Sequence, residues 1–503
     1  MKKSNQSPTP SHRPDHRVVI IGAGFSGINM GIRLKQQGIT DFVILERAGD
    51  IGGTWRDNIY PGCACDVPSI AYSYSFAQHA DWSRSFAGSA EIQDYIRRCV
   101  RRYDLAPWIR LNAGVSRASF NDGQGSWTLE LDNGERISAR AVVSAVGGLV
   151  NPSMPEIAGL DNFRGEVFHT ARWRSDVNLT GKRVAVIGTG ASAIQVIPSI
   201  QPQVERLDVY QRTPPWVLPK PDFEIAERTK RLFANLPTAQ RLLRNTIFSA
   251  SEAIFGPLVI LDTKASSVLE HVARRNLVSN VPDPALREKL TPKYRIGCKR
   301  VLLSSDYYPA MTRENVRLVT EPIARVTPTG IKTGDGKTEK VDVIVLATGF
   351  RVDIGSAPFE IVGRNGKSLS DAWSNPGSKA YLGMSVAGFP NWFFMLGPNT
   401  GPGHTSVLVY TEAQANYIAQ AIGNLFDRRL RYLDVRRDAQ DAWHRMIQGR
   451  MKYTSWTSGC SSWYLDKNGE NHALFPGLAS EYVWRARQFR PEHYDATVYS
   501  ASA

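Results

Sequence analysis

The chain has 503 residues, a length that suits two or three domains rather than one. A hydrophobic share of 42% with 21% charged residues is that of an ordinary globular protein, which excludes a disordered or fibrous chain. The formal net charge of +14 is spread along the chain without a long Lys/Arg run or a nucleic-acid motif, so it points to a solvated basic surface that can steer an anionic ligand rather than to nucleic-acid binding. The five cysteines, Cys63, Cys65, Cys99, Cys298 and Cys460, are few and odd in number, which argues against a disulfide framework and for a reducing compartment. Residues 1–16 are polar, basic and proline-bearing, and read as a disordered tail without the apolar core of a signal peptide. The apolar stretch Ala253 to Leu261 is too short to span a bilayer, so no transmembrane segment is expected, and a cytoplasmic location follows.

From Arg17 the apolar run Val18–Ile21 leads into Gly22-Ala23-Gly24-Phe25-Ser26-Gly27, and Phe42–Leu45 reads as the next strand. Glycines at this spacing, between a buried strand and a helix, let the backbone approach a pyrophosphate at the helix N-terminus. A helix is expected at Ser89–Arg102, then alternating strands at Ser126–Leu131 and from Ile137, with a turn at Asp132-Asn133-Gly134. Ala141–Val146 is a buried strand ending in Gly147-Gly148, and Pro152 and Pro155 punctuate a crossing out of this first unit.

The fingerprint then recurs. Val184–Ile187 leads into Gly188-Thr189-Gly190-Ala191-Ser192-Ala193, followed by a strand at Leu207–Tyr210. The residue 24 positions beyond the first glycine is Glu46 in the first copy and Arg212 in the second. A carboxylate there takes free ribose hydroxyls and an arginine takes a 2′-phosphate. The pair reads as FAD at the first copy and NADPH at the second.

Between about residues 222 and 298 the pattern turns helical, at Ala226–Ala234, Thr238–Ala250, Ser266–Ala273 and Pro284–Leu290. This is expected to be an insertion on the substrate side of the second unit. The parent unit resumes at Val316 and ends in Val341–Leu346, whose glycine exit at Gly349-Phe350 mirrors that at Gly147. Two such exits predict a discontinuous first unit. The expected division is an FAD-binding part at 17–150, an NADP-binding domain at 151–340, and a second FAD-binding part with the C-terminal tail at 341–503. That last part carries a helix at Thr411–Asn424 and an aromatic-rich tail. The fold class is α/β, with two Rossmann-like dinucleotide-binding domains and a helical insertion in the second.

With these motifs in place, the chain resembles the flavin-dependent class B monooxygenases, and among them the Baeyer–Villiger monooxygenases, from Arg17 to about Asp495. Phe163, Gly165, His169, Thr170 and Trp173 match the family's FxGxxxHTxxW signature, while Arg174 stands where the family usually has Pro or Asp. Gly52, Gly53, Trp55, Tyr60, Pro61, Gly62 and Asp66 match GGxWxxxR[F/Y]PGxxxD, with Ile59 in place of its arginine. The resemblance implies that Arg300 is the active-site arginine and Asp66 the carboxylate beside it. It implies that Lys299 joins Arg212 on the 2′-phosphate, flanked by Gln211 and Thr213, and that Trp463 contacts bound NADP. Gly53, Thr54 and Trp55 join Gly22, Gly24, Gly27 and Glu46 at FAD, as Ala193 joins Gly188 and Gly190 at NADP, and His169 is a structural or hinge residue.

The implied reaction uses NADPH and O2 to insert one oxygen beside a ketone carbonyl through a peroxide at flavin C4a, giving an ester or lactone. A guanidinium in a dry pocket suits that chemistry because it stays charged and stabilises negative oxygen. Oxygenation of a soft nitrogen or sulfur by the same cofactors is the alternative reading. Both predict a small-molecule partner, and no metal is called for. Linear, cyclic, aryl and steroid-like ketones all fit the resemblance, and oligomeric state has no signature in the sequence.

Overall fold

A computed structural model of the protein describes residues 14–351, 358–374, 377–460, 462–466 and 468–499. Of the expected N-terminal tail, residues 1–13 lie outside the described residues. The rest of it is corrected: the Asp15 N–H donates to Ser138 Oγ at 2.9 Å, the Ser138 N–H donates back to Asp15 at 2.8 Å, and His16 already opens the first strand.

Val18, Val19 and Ile20 have no exposed surface, because the His16–Ile21 strand lies inside a sheet covered on both faces. It pairs in parallel with Phe42–Leu45 on one side and Arg136–Ser144 on the other. The eight-stranded sheet runs Glu360–Val362, Val115–Asn121, Ser126–Leu131, Arg136–Ser144, His16–Ile21, Phe42–Leu45, Ile109–Arg110, and Trp392–Phe394 also pairs with Arg136–Ser144. Strands from before and after the second fingerprint therefore share one sheet. The second sheet has five parallel strands in the order Val316–Val319, Arg206–Tyr210, Arg183–Ile187, Val343–Leu346, Glu166–His169. Each fingerprint sits on a central strand and is followed by a helix, Phe25–Gln36 or Ala193–Ile200. The α/β class with two Rossmann-like units is the observed architecture.

The two glycine exits run side by side, since Asn151–Pro152 pairs antiparallel with Phe350–Arg351. Helices occupy Glu227–Asn235, Pro237–Ala250, Ser267–Asn280 and Pro284–Leu290, the last capped by the Asp283 carboxylate on the N–H groups of Ala285 and Leu286. The stretch around Ala253 continues the second of these as a π-helical turn, Ser251–Phe255, and a short helix, Gly256–Ile260. The helix expected at Thr411–Asn424 is longer, Val407–Asp427, and Ser406 caps its start. No helix among the described residues is long and apolar enough to cross a membrane.

One buried hydrogen-bonded pair locks this helical region to the C-terminal segment. His404 Nε2 donates to Glu252 Oε1 at 2.6 Å, and the N–H groups of Ala479 and Ser480 donate to the same carboxylate at 3.1 and 2.8 Å. Burial pushes the Glu252 carboxyl up, but the bonds from His404 and Ser480 outweigh it and hold it down at about 2. A carboxyl lowered from its ordinary 4.5 adds stability above that pH and loses it as pH falls toward 2. Glu252→Ala leaves a buried imidazole and two N–H groups without partners, so unfolding free energy is expected to fall by about 1–3 kcal/mol for each group left buried and unpaired at neutral pH. The difference from wild type should narrow between about pH 4.5 and pH 2. Urea titrations across that range check both statements, and a variant as stable as wild type at pH 7 contradicts them.

Candidate active site

The turn after each central strand is built the same way. Gly22 and Gly188 have φ of +104° and +114°, and a Cβ on either would press within 2.7 or 2.4 Å of the carbonyl oxygen of Ala145 or Ala347. The Gly22 N–H donates to Leu45 and the Gly188 N–H to Tyr210, so both turns fold back over the neighbouring strand. Only glycine combines this φ with that approach, and the following helix then points its N-terminus at the space above the sheet.

Both turns open onto one cavity of about 1660 Å³. That exceeds the roughly 300–1,000 Å³ of a usual small-molecule pocket and suits more than one ligand. Its walls hold Gly22, Gly24, Glu46, Gly53, Thr54, Trp55 and Asp66 from the first unit. From the second come Gly188, Gly190, Gln211, Arg212, Thr213, Lys299 and Arg300, and the C-terminal segment adds Trp463. Of the expected cofactor residues, Gly27 and Ala193 do not line it. Gly27 lies behind the turn, where a Cβ would fall 1.8 Å from the Gly22 oxygen, so it packs helix on strand instead of touching a ligand. Ala193 is fully buried at the start of its helix and plays the same packing part.

Glu46 is aimed by three donors: the Ala23 N–H at 2.9 Å, the Ala48 N–H at 3.1 Å and Arg56 Nη1 at 2.8 Å. Arg56 also bonds Asp57 at 2.8 Å. The sequence reading missed Arg56; its place directly after Trp55 in the second motif was the available signal. Trp55 stands edge-on to Tyr72 and donates its indole N–H to the Tyr72 hydroxyl at 3.2 Å.

Another part of the cavity wall is cationic. Among the described residues neither Arg212 nor Lys299 has a carboxylate within 4.0 Å. Burial, and then the charge of Arg212, pull the Lys299 ammonium below its ordinary value. Gln211 is fixed by its Nε2–H bond to the Lys289 carbonyl at 2.8 Å, and the Thr213 carbonyl accepts from Thr189 Oγ1 at 3.0 Å. Two cations held together without a carboxylate form a ready anion site.

Arg300 reaches from the second unit to the first and donates Nε–H and Nη2–H to Asp66 Oδ2 at 3.0 and 2.5 Å. The Asp66 charge holds the Arg300 proton more tightly than usual, against the opposing effect of burial. Arg300 lies deep in the protein, yet 45% of its side-chain surface remains accessible, because it opens onto the cavity. Tyr464 shares this corner; burial pushes its phenol up to about 12 while Arg300 pulls the other way. Tyr464 was missed beside Trp463 because a buried tyrosine has no pattern of its own.

The units are docked through the second motif. Tyr60 donates its hydroxyl to Gln195 at 2.9 Å, and Gln195 Nε2 donates to the Ala64 carbonyl at 2.9 Å. The departures lie elsewhere: Ile59 is 53% exposed, and Arg174 forms surface ion pairs with Asp176 and Glu166. Neither lines the cavity. The FxGxxxHTxxW segment is not a free linker, since Glu166–His169 is the edge strand of the second sheet. His169 is buried there, and its Nδ1 accepts from the Ala171 N–H at 3.0 Å.

One expectation about cysteines is corrected. Cys298 and Cys460 form a disulfide across 162 residues, joining the segment of Lys299 and Arg300 to that of Trp463. Spacing along the chain gives no hint of a pair this distant. The other three cysteines are free and buried.

Residues 19–247 match the family model described as pyridine nucleotide-disulphide oxidoreductase. A curated Baeyer–Villiger monooxygenase from Pseudomonas aeruginosa is 43% identical over 497 residues, covering 97% of this chain and 93% of that protein. This chain belongs to the Baeyer–Villiger monooxygenases. A second Baeyer–Villiger monooxygenase, from Streptomyces coelicolor, is 45% identical over 94% of this chain and 91% of its own length. A solved structure of an OTEMO complex with FAD and NADP superposes with a TM-score of 0.85 at 30% identity, covering 94% of this chain and 97% of that one. As a Baeyer–Villiger monooxygenase the protein is an oxidoreductase with FAD and NADP as cofactors, and this membership does not favour the nitrogen- or sulfur-oxygenating alternative.

Proposed function

We propose that this Baeyer–Villiger monooxygenase uses NADPH and O2 to convert a ketone to an ester or lactone at the corner formed by Arg300 and Asp66. The observation that carries the proposal is a guanidinium bonded to one carboxylate, inside a cavity shared by both fingerprint turns.

The residues present fit the two cofactors. The Gly22 cradle, which any Cβ would fill, and the aimed carboxylate of Glu46 suit the pyrophosphate and ribose of FAD. Gly53, Thr54 and Trp55 continue that wall. Gly188 and Gly190 suit the NADPH pyrophosphate, and Arg212 with Lys299 suits its 2′-phosphate, with Gln211 and Thr213 alongside. Bound FAD supplies hydride acceptance from NADPH and the activation of O2. Trp463, which lines the same cavity from the C-terminal segment, would contact NADP. The discontinuous division into an FAD unit, an NADP unit and a helical insertion follows from the same assignments.

Insertion of oxygen beside a carbonyl builds negative charge on oxygen. Arg300 stays protonated under every working condition, so it stabilises that charge without exchanging a proton. Asp66 holds the guanidinium in place through two donors and leaves Nη1 free of that bond. A second, largely apolar chamber of about 180 Å³ adjoins this corner through Asp66, Val67, Leu303 and Thr405. Its other walls include Ile247, Phe248 and Phe255 of the helical region, which suits the hydrocarbon part of a ketone. NADPH and O2 complete the reactants.

Product analysis with a ketone panel and an aryl sulfide, each with NADPH in air, tests the reading. An ester or lactone from at least one ketone is the expected result. Fast sulfoxidation with no ketone converted would overturn it.

A further inference from the structure

Away from the large cavity, the chain after Trp463 makes a small hairpin whose polar side chains have no part in the dinucleotide site. Leu465 and Asn471 form a β-bridge, and Asp466 Oδ1 ties the turn by accepting from the N–H groups of Asn468 and Glu470 at 2.8 and 2.9 Å. Asp466 Oδ2 is thereby turned to His472 Nε2, at 3.2 Å. Glu470 brings Oε2 to 3.7 Å from the same nitrogen. From the helix Arg437–Met451 beneath, His444 points Nε2 at Glu470 Oε2 from 3.7 Å, its ring nearly parallel to that of His472. One donor atom each from Asp466, Glu470 and His472 lie within 4.8 Å of one another.

Three details call for a cation here. His472 Nδ1 lies 3.0 Å from the Ser378 carbonyl oxygen, which only accepts, so Nδ1 carries a proton and Nε2 faces the carboxylates. A backbone-anchored Nδ1–H with Nε2 turned to acidic oxygens is the usual pose of a metal-bound imidazole. Glu470 Oε2 is shut off from solvent and has no hydrogen-bond partner among the described residues. His444 is only 8% exposed, and its Nε2 stands 3.7 Å from that orphaned oxygen. A simple histidine–carboxylate pair satisfies His472 and Asp466, but it leaves the buried Glu470 Oε2 without a partner, at a cost of about 1–3 kcal/mol. Gly377 keeps the site open, since a Cβ there would fall 2.3 Å from His472 Nε2.

We propose that Asp466, Glu470 and His472, with His444 as fourth ligand, bind one divalent transition-metal ion, zinc by preference. Two imidazoles with two carboxylates suit a borderline ion better than calcium or magnesium, which take oxygen ligands. Ligands at about 2.0–2.2 Å from zinc stand about 3.4 Å apart. The atoms of Asp466, Glu470 and His472 already lie within 4.8 Å of one another, and His444, 3.7 Å from Glu470 Oε2 but outside that group, moves inward to complete the set. The role is structural: the ion clamps the hairpin that directly follows Trp463 and Tyr464, and so steadies one wall of the active cavity.

The test is calorimetric titration of zinc chloride into the tag-free, FAD-loaded protein after treatment with a chelator. One zinc ion per chain is expected, with affinity lowered by at least about tenfold in both His472→Asn and Glu470→Gln. Zinc should raise the thermal midpoint of wild type more than that of either variant, and excess magnesium should not compete. FAD content and circular dichroism show that each variant is folded; should His472→Asn fail, Glu470→Gln and Asp466→Asn carry the comparison. Absence of stoichiometric binding, or unchanged affinity in the folded variants, overturns the proposal.

Discussion

Arg300→Ala lowers the rate of ester formation by about 100- to 1000-fold, or roughly 2.7–4 kcal/mol of transition-state stabilisation. The loss falls on kcat for the ketone, because the charge that Arg300 meets exists only as the new oxygen bond forms. FAD content stays at the wild-type level, since Arg300 belongs to neither glycine turn. NADPH oxidation continues, with the electrons released as hydrogen peroxide. Arg300→Lys recovers little, because an ammonium cannot reproduce the paired Nε and Nη2 bonds to Asp66 Oδ2. Asp66→Ala follows the same pattern by freeing the guanidinium from its anchor. Steady-state rates of ester and peroxide formation, measured in parallel, check this, and a variant whose ester rate stays within a few-fold of wild type removes Arg300 from the chemistry.

Arg212→Ala raises KM for NADPH by about 10- to 150-fold, the loss of one charge-assisted hydrogen bond, and changes KM for NADH little. The asymmetry follows from the 2′-phosphate, which only NADPH carries. Lys299→Ala acts in the same direction, and the double variant loses less than the product of the two because the cations share one anion. Kinetics with each nucleotide decide the matter: equal changes for both place Arg212 outside the phosphate site.

The site was legible to different depths. Both glycine turns could be read directly, because each has one backbone solution: a positive φ and a carbonyl of the adjacent strand against the missing Cβ, at Ala145 and Ala347. Glu46 and Arg212 could be read from their distance to those turns. Asp66 and Arg300 are separated by 234 residues, and only the family resemblance paired them. Arg56 and Tyr464 serve the same corners through tertiary contacts, which leave no periodicity along the chain. Gly27 and Ala193 were read as ligand contacts where the structure uses them for packing. The Glu166–His169 strand was not read as one because an edge strand of four residues is too short to show alternation. The Cys298–Cys460 bridge and the His444–His472 cluster belong to the same class of long-range pairings.

The most direct test of the central claim is the mass of the product formed from a ketone with NADPH under isotope-labelled O2. Incorporation of one labelled oxygen into an ester or lactone, abolished in Arg300→Ala while peroxide release persists, is the result expected of the Arg300–Asp66 corner. An unlabelled product, or NADPH consumption yielding only peroxide with every ketone, would contradict it.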